Sequence, residues 1–192
     1  MSDALRLDPK QTALVVIDLQ KGILGRQTAP HTASDVLARS ARLAERFREA
    51  GGLVVLVKVS YSSDGGDRLL QPTDAGPLAS VTEPGWDELS PALGRDSRDI
   101  AITKRQWGAF YGTQLDLQLR RRGIKTIVIA GIATNFGVES TARDAFERGY
   151  ALVFVEDAMA ALAEAAHAFA ISTIFPRIGR IRSTEEVLKS LV

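Results

Sequence analysis

Apolar residues along the chain follow two alternating patterns. Four short runs are wholly or almost wholly apolar: Ala13–Ile17 (ending at Asp18), Leu53–Val59 (interrupted only by Lys58), Thr126–Ala130 (apolar after Thr126) and Leu152–Val155. Runs without polar alternation suit strands buried on both faces. Between them the apolar positions take helical spacing. Thr32-x-x-Asp35 reads as a capping box opening a helix to about Ala50, with Val36, Leu43, Ala44 and Phe47 on one face and Gly51-Gly52 as its stop. Thr113-x-x-Asp116 opens a helix through Arg122, which Gly123 ends. Gly131–Asn135 reads as a tight turn into a helix ending near Gly149. An alanine-rich helix is expected over Ala161–Phe175, stopped by Pro176. Ser183-x-x-Glu186 caps a last helix with Val187, Leu188 and Leu191 inward. Shorter strands are expected at Ile100–Thr103 and Ile178–Ile181, and Glu156-Asp157 is expected to end the strand before it.

Such alternation predicts a parallel sheet with helices on both faces. At 192 residues the chain suits a single domain, 1–192. Residues 60–99 break the rhythm: Ser, Asp, Gly and Pro dominate, and a loop this long inside a compact domain usually carries function. A doubly wound sheet binds ligands beyond the carboxyl ends of its strands. Asp18, Lys104 and the segment Gly131–Gly137 all fall there.

Composition narrows the chemistry. There is no cysteine, which excludes disulfides, thiolate metal sites and a cysteine nucleophile. Two histidines, His31 and His167, are too few for a multi-histidine metal site, and no G-x-S-x-G elbow supports a serine triad. Asp64, Asp67 and Asp74 leave a carboxylate cation site in the long loop as a minor alternative. Twenty-four basic against 23 acidic side chains give no basic stripe for nucleic acid. No run of about 18 apolar residues suggests a membrane span, and the opening Met1–Asp8 has no signal-peptide pattern, so a cytoplasmic protein is expected.

Asp18 and Lys104 at neighbouring strand ends would perturb each other's proton affinity, whether as a reactive pair or as a plain structural ion pair. Trp107 and Phe110 follow closely and are candidates to wall a pocket, Phe110 equally for packing under the loop. Gly131-Ile-Ala-Thr-Asn-Phe-Gly137 turns a strand into a helix whose first amides attract negative charge. It is not a dinucleotide fingerprint: no G-x-G-x-x-G follows the first strand.

Three motifs in order carry a family resemblance: Val-Val-Ile-Asp18-Leu-Gln20, Thr-Lys104-Arg-Gln-Trp-Gly-Ala-Phe110, and Gly131-Ile-Ala-Thr-Asn-Phe-Gly-Val138, followed by Thr141-Ala-Arg-Asp144-Ala. With them the chain resembles the isochorismatase-like, or cysteine hydrolase, superfamily over nearly its whole length. The resemblance implies a three-layer α/β/α fold with a six-stranded, mostly parallel, Rossmann-like sheet. It implies an Asp–Lys–Cys catalytic set in which Asp18 is the proton-transfer group and Lys104 the lysine. The nucleophile's position falls on Gly137, so this chain cannot form the covalent intermediate. It further implies a non-proline cis bond at Ile132–Ala133 and a homodimer or homotetramer. Nicotinamidases of the family carry Asp-x-His after the second strand; here the segment reads Lys58-Val-Ser-Tyr61, so no metal and no other cofactor is expected.

Isochorismatases that carry glycine at the same position hydrolyse a vinyl ether without a covalent intermediate, an aspartic acid protonating the enol-ether carbon. Asp18 and Lys104 suit that role, with backbone amides around Ala133 and Gly137 holding an oxyanion or carboxylate, and Gln20, Tyr61, Trp107, Phe110 and Asn135 around the substrate. The turn's Ala-Thr-Asn sequence follows the amidase pattern instead. The expectation is therefore a hydrolase of a small molecule, isochorismate being one candidate. The alternative is an inactive relative that binds or senses a small ligand.

Overall fold

The computed structural model describes residues 5–75 and 83–192; the first four residues of the opening read for a leader, and part of the long loop, lie outside them. Six strands form one sheet: β1 (Thr12–Ile17), β2 (Leu53–Val59), β3 (Ile100–Lys104), β4 (Thr126–Ile132), β5 (Ala151–Ala160) and β6 (Arg180–Arg182). Their order is β3-β2-β1-β4-β5-β6, every neighbouring pair parallel. The helices are α1 (Lys21–Leu24), α2 (Ala33–Glu49), α3 (Leu115–Arg121), α4 (Glu139–Glu147), α5 (Glu164–Phe169), α6 (Phe175–Ile178) and α7 (Thr184–Ser190).

The period-two alternation of a strand explains the layers. From β1, Ala13, Val15 and Ile17 pack on one side with Leu115 and Leu119 of α3, Ala142 and Ala145 of α4 and Phe175 of α6. Leu14 and Val16 pack on the other with Val36, Leu43, Ala44 and Phe47 of α2 and Val187 of α7. All six residues of β1 are buried. Each large apolar side chain so buried contributes about 1.5–3 kcal/mol. Thr32 caps α2 by accepting from the Asp35 amide, and Ser183 with Glu186 forms a complete capping box on α7.

Several local expectations are corrected. The helix α3 begins at Leu115 with Gln114 at its cap, because the Thr113 hydroxyl takes the Leu115 amide and donates to the Ala109 carbonyl instead. The strand β5 does not end at Glu156-Asp157. β4 advances from Ile129 to Gly131 while β5 advances from Phe154 to Met159, so β5 bulges outward there and resumes to Ala160. The alanine-rich segment is α5, a π-helical turn (Ala170–Ile174) and α6, and Pro176 sits inside the first turn of α6. In a first turn the missing N–H has no intrahelical partner to lose, so proline is tolerated there. The last strand accordingly starts at Arg180 rather than Ile178.

One glycine is required by close approach. Gly131 pairs with Ile17 in the β1–β4 register, at φ +124°, and a Cβ there would lie 2.1 Å from the Ile17 carbonyl oxygen. No side-chain rotation relieves a clash with backbone. Gly131→Ala is expected to cost at least about 3 kcal/mol, read as a lowered urea midpoint; a change below 1 kcal/mol would show that β1 and β4 can separate locally at no real cost.

Candidate functional site

Parallel strands deliver their carboxyl ends to one edge of the sheet, and three of those ends meet. Asp18 directly follows β1. Its N–H donates to the Val57 carbonyl and its own carbonyl accepts from the Gln20 N–H, both at 2.9 Å. These bonds hold Asp18 at φ +55°, the one positive φ outside glycine among the described residues. Aspartate enters this region more readily than most residues, at a cost of roughly 1–3 kcal/mol. The chain is thereby turned back at the sheet edge.

Lys104 is the last residue of β3, two strands away with β2 between. Its Nζ donates to Asp18 Oδ2 at 2.7 Å and to the Gln106 carbonyl at 3.1 Å. Both side chains are almost completely buried, 2% exposed for Lys104 and 6% for Asp18. Burial lifts the Asp18 carboxyl from 3.8 to about 6, although the charge and hydrogen bond of Lys104 pull it down. The other carboxylate oxygen, Oδ1, is buried with no hydrogen-bond partner in the protein. An acceptor left unsatisfied in a buried site carries a desolvation cost, so this oxygen is the free valence of the pair.

The third strand end, that of β4, supplies a floor. Ile132–Ala133 is a cis peptide bond, as the resemblance implied. A π-helical turn, Thr134–Val138, leads into α4, and the Phe136 and Val138 amides both donate to the Ala133 carbonyl. Gly137 lies directly under the ion pair. A Cβ built on it would stand 3.0 Å from Asp18 Oδ2 and from Ile17 Cγ2, and 3.4 Å from Lys104 Nζ. Thr141 braces this floor, donating to the Gly137 carbonyl at 2.6 Å and accepting the Ala109 amide at 3.1 Å.

The remaining candidates divide. Trp107 is 51% exposed and lies 4.8 Å from Phe136 of the turn, so it borders the site. Tyr61 stacks on Trp86 at 5.8 Å; burial raises its hydroxyl's pKa, and the nearby Asp18 charge pushes in the same direction. Asn135 sits in the turn with a buried, unpartnered Oδ1. Two expectations are corrected. Both ends of the Gln20 amide are spent on the Val59 backbone, at 2.9 and 3.0 Å, so Gln20 fastens the end of β2 instead of facing a ligand. Phe110 is buried in the core, 6.0 Å from Tyr150, which is the packing role expected as the alternative to a pocket wall. The loop carboxylates do not assemble either: Asp64 binds Ser62 and the Gly66 amide, and Asp67 pairs with Arg105. Among the described residues no group of three His, Asp or Glu side chains is arranged to hold a metal ion.

No local signal in the sequence marks Phe136 or the two histidines as neighbours of this site. They are far apart in the chain, and only the fold brings His31 and His167 to one carboxylate, Glu156, each at 3.4 Å.

The fold agrees with comparison to known proteins. Residues 12–186 match the model of the isochorismatase domain. The chain belongs to the isochorismatase family. It is 54% identical over 187 residues to YecD of Escherichia coli O157:H7, an uncharacterized isochorismatase family protein, covering 97% of this chain and all of that one. It is 32% identical to the ureidoacrylate amidohydrolase RutB of Acinetobacter baylyi, over 81% of this chain and 73% of the relative. An isochorismatase family protein from Burkholderia thailandensis has the same fold, with a TM-score of 0.94 at 45% identity, over 98% of this chain and 99% of that one. Family membership includes this chain among hydrolases, and no helix of the described residues is long and apolar enough to cross a membrane.

Breaking a buried pair leaves an uncompensated charge. Lys104→Met is expected to cost roughly 3–5 kcal/mol where Asp18 is ionised. The folded carboxyl is raised above its unfolded value, so its contribution favours folding at low pH and is lost as pH rises from about 4 to about 6. The Lys104→Met penalty should therefore be larger at pH 8 than at pH 5 in urea unfolding. Equal penalties at both pH values would mean that Asp18 does not titrate in this window.

Proposed function

We propose that this chain hydrolyses a small molecule without a covalent enzyme intermediate, Asp18 transferring the proton and Lys104 setting its electrostatics. One observation carries the reading: a buried carboxyl with one oxygen on Lys104 and the other unpartnered, above a glycine. On the resemblance of Gly131–Val138 to the family's motif, we take Gly137 to stand at the nucleophile position, and the chain has no cysteine to replace it. The Asp18–Lys104 pair packs down against Gly137, as a side chain there would not permit without displacement.

Vinyl-ether hydrolysis of isochorismate fits this chemistry. Protonated Asp18 delivers its proton to the methylene carbon of the enol ether, giving an oxocarbenium ion. Water adds to that cation, its proton returns to the carboxylate, and the hemiketal breaks down to pyruvate and the ring alcohol. Lys104 keeps the carboxylate in place after the transfer, and the turn from Ala133 to Gly137 holds a carboxylate or developing oxyanion. Tyr61, Trp107 and Asn135 border the substrate. No thiol in the chain also favours a second reading, a protein that binds a small ligand without turning it over.

The test is pyruvate release from isochorismate, with ureidoacrylate as the amide comparison, by parent and Asp18→Asn. Turnover of isochorismate should fall at least about 10²-fold in the variant, with circular dichroism confirming that the variant folds. Because the acid form is the reactive one, kcat/KM should fall about tenfold per pH unit above a midpoint near 6. A rate that instead rises through that midpoint would make Asp18 a general base toward water. Binding of either compound by the parent without turnover would leave the ligand-binding reading. The proposal includes a homodimer or homotetramer, supported by Trp107 and Tyr111, 51% and 77% exposed. Sedimentation should give two or four chain masses, and a monomer would remove that part.

A further inference from the structure

Another chain of polar contacts, buried at its Thr134–His167 end, is one that the proposed reaction does not use. Thr134, in the turn after β4, is fully buried, and its Oγ1 lies 2.9 Å from Nδ1 of His167 on α5. His167 is 3% exposed and turns Nε2 toward Glu156 Oε1. Glu156 stands in the bulge of β5 and receives His31 Nε2 on the same oxygen. The two imidazoles meet edge to face, 6.1 Å between centroids. His31 belongs to the loop before α2, which is tied to the end of β5 by paired hydrogen bonds between Ala29 and Ala161. One line of contacts thus runs from the surface loop through β5 and α5 into the floor of the site.

We propose that His167 is a positioning residue: together with Glu156 and His31 it fixes Thr134, and through it the turn 134–138 beneath Asp18 and Lys104. Its importance for catalysis rests on the hydrolase reading; the connection itself does not. The order Thr–His–Glu has the connectivity of a nucleophilic triad. With its hydroxyl fully buried, however, Thr134 is out of reach of a substrate carbonyl, which leaves support as the role.

The chemistry fixes the direction of the contacts. Facing an ionised Glu156, neutral His167 carries its proton on Nε2, so Nδ1 accepts from the Thr134 hydroxyl. Protonation puts a hydrogen on Nδ1 as well, and the Thr134 hydroxyl must then accept and turn its own hydrogen elsewhere. The turn therefore senses the charge of His167. The groups facing that ring are Thr134 from the turn, Glu156 from β5, His31 from the loop before α2 and Glu164 from its own helix. Burial holds His167 below the ordinary histidine value, with the Glu156 carboxylate opposing that shift.

The chain has only two histidines, so imidazole nitrogens can be followed individually by NMR across pH in the full protein. At pH 8 His167 should show the Nε2–H tautomer. The backbone amides of Thr134, Asn135 and Phe136 should titrate with the His167 midpoint. Glu156→Gln removes the opposing carboxylate and should move both midpoints down together, by roughly half a unit for this half-exposed partner. Thr134→Val should detach the amides from the His167 titration, and Thr134→Ser should restore the link, a rescue that mere packing at this position would not give. Amides that keep their midpoint while that of His167 moves, or that follow His167 unchanged in Thr134→Val, overturn the proposal. None of these readings needs substrate, so failure of the hydrolysis test leaves them standing, and the reverse also holds.

Discussion

Two opposite charges taken out of water, on strands that do not touch, set the terms for this end of the molecule. Asp18 and Lys104 are separated by β2, yet Nζ and Oδ2 are 2.7 Å apart. Removing either charge from water costs several kcal/mol, and only close pairing offsets that cost. The neighbouring features serve the pairing. The backbone of Asp18 leaves the strand direction at φ +55°, held by bonds to Val57 and Gln20. The Gln20 amide fastens the end of β2 at Val59, so that Lys104 reaches across a fixed strand. Gly131 lets β4 lie against Ile17, and Gly137 gives the pair a floor without a side chain.

A stabilising purpose alone explains this poorly. A buried ion pair is often no better than apolar residues of the same size. Here it is also incompletely satisfied, since Asp18 Oδ1 has no partner and the carboxyl is lifted to about 6. A group poised near neutrality with one free oxygen suits proton transfer far better than it suits holding strands together.

The sequence carried the strands and the first-order placement of the site because both depend on local signals. Leu53–Val59 is the observed β2, and the Thr32 and Ser183 caps open their helices where expected. Asp18 and Lys104 were legible as polar residues ending apolar runs in a parallel fold. What was illegible depends on distant contacts. Gln20 reads as a polar residue next to a catalytic candidate, and nothing local says that its amide is spent on Val59. Phe110 has the same composition signal as Trp107, but one is core and the other surface, a difference decided by Tyr150 forty residues on. The β5 bulge, invisible in a strand-like run, carries Glu156 to both histidines.

The bulge also shows how the two polar systems relate. Had β5 ended at Val155, Glu156 would begin a solvated loop, and a buried His167 would be left without a carboxylate for Nε2. Because β5 bulges and then resumes to Ala160, it holds Glu156 beside α5 while Ala161 still pairs with Ala29. The turn 134–138 is consequently fixed from two sides. Thr141 and Ala109 brace it toward β3 and Lys104, and Thr134 and His167 brace it toward β5. A floor held at both ends by hydrogen bonds keeps Gly137 under the pair, where even an added Cβ would come 3.0 Å from the carboxylate, a closeness at which small displacements change electrostatics strongly. With glycine at position 137, the turn meets the buried pair without a side chain, and Asp18 Oδ1 is the oxygen of that pair left without a hydrogen-bond partner.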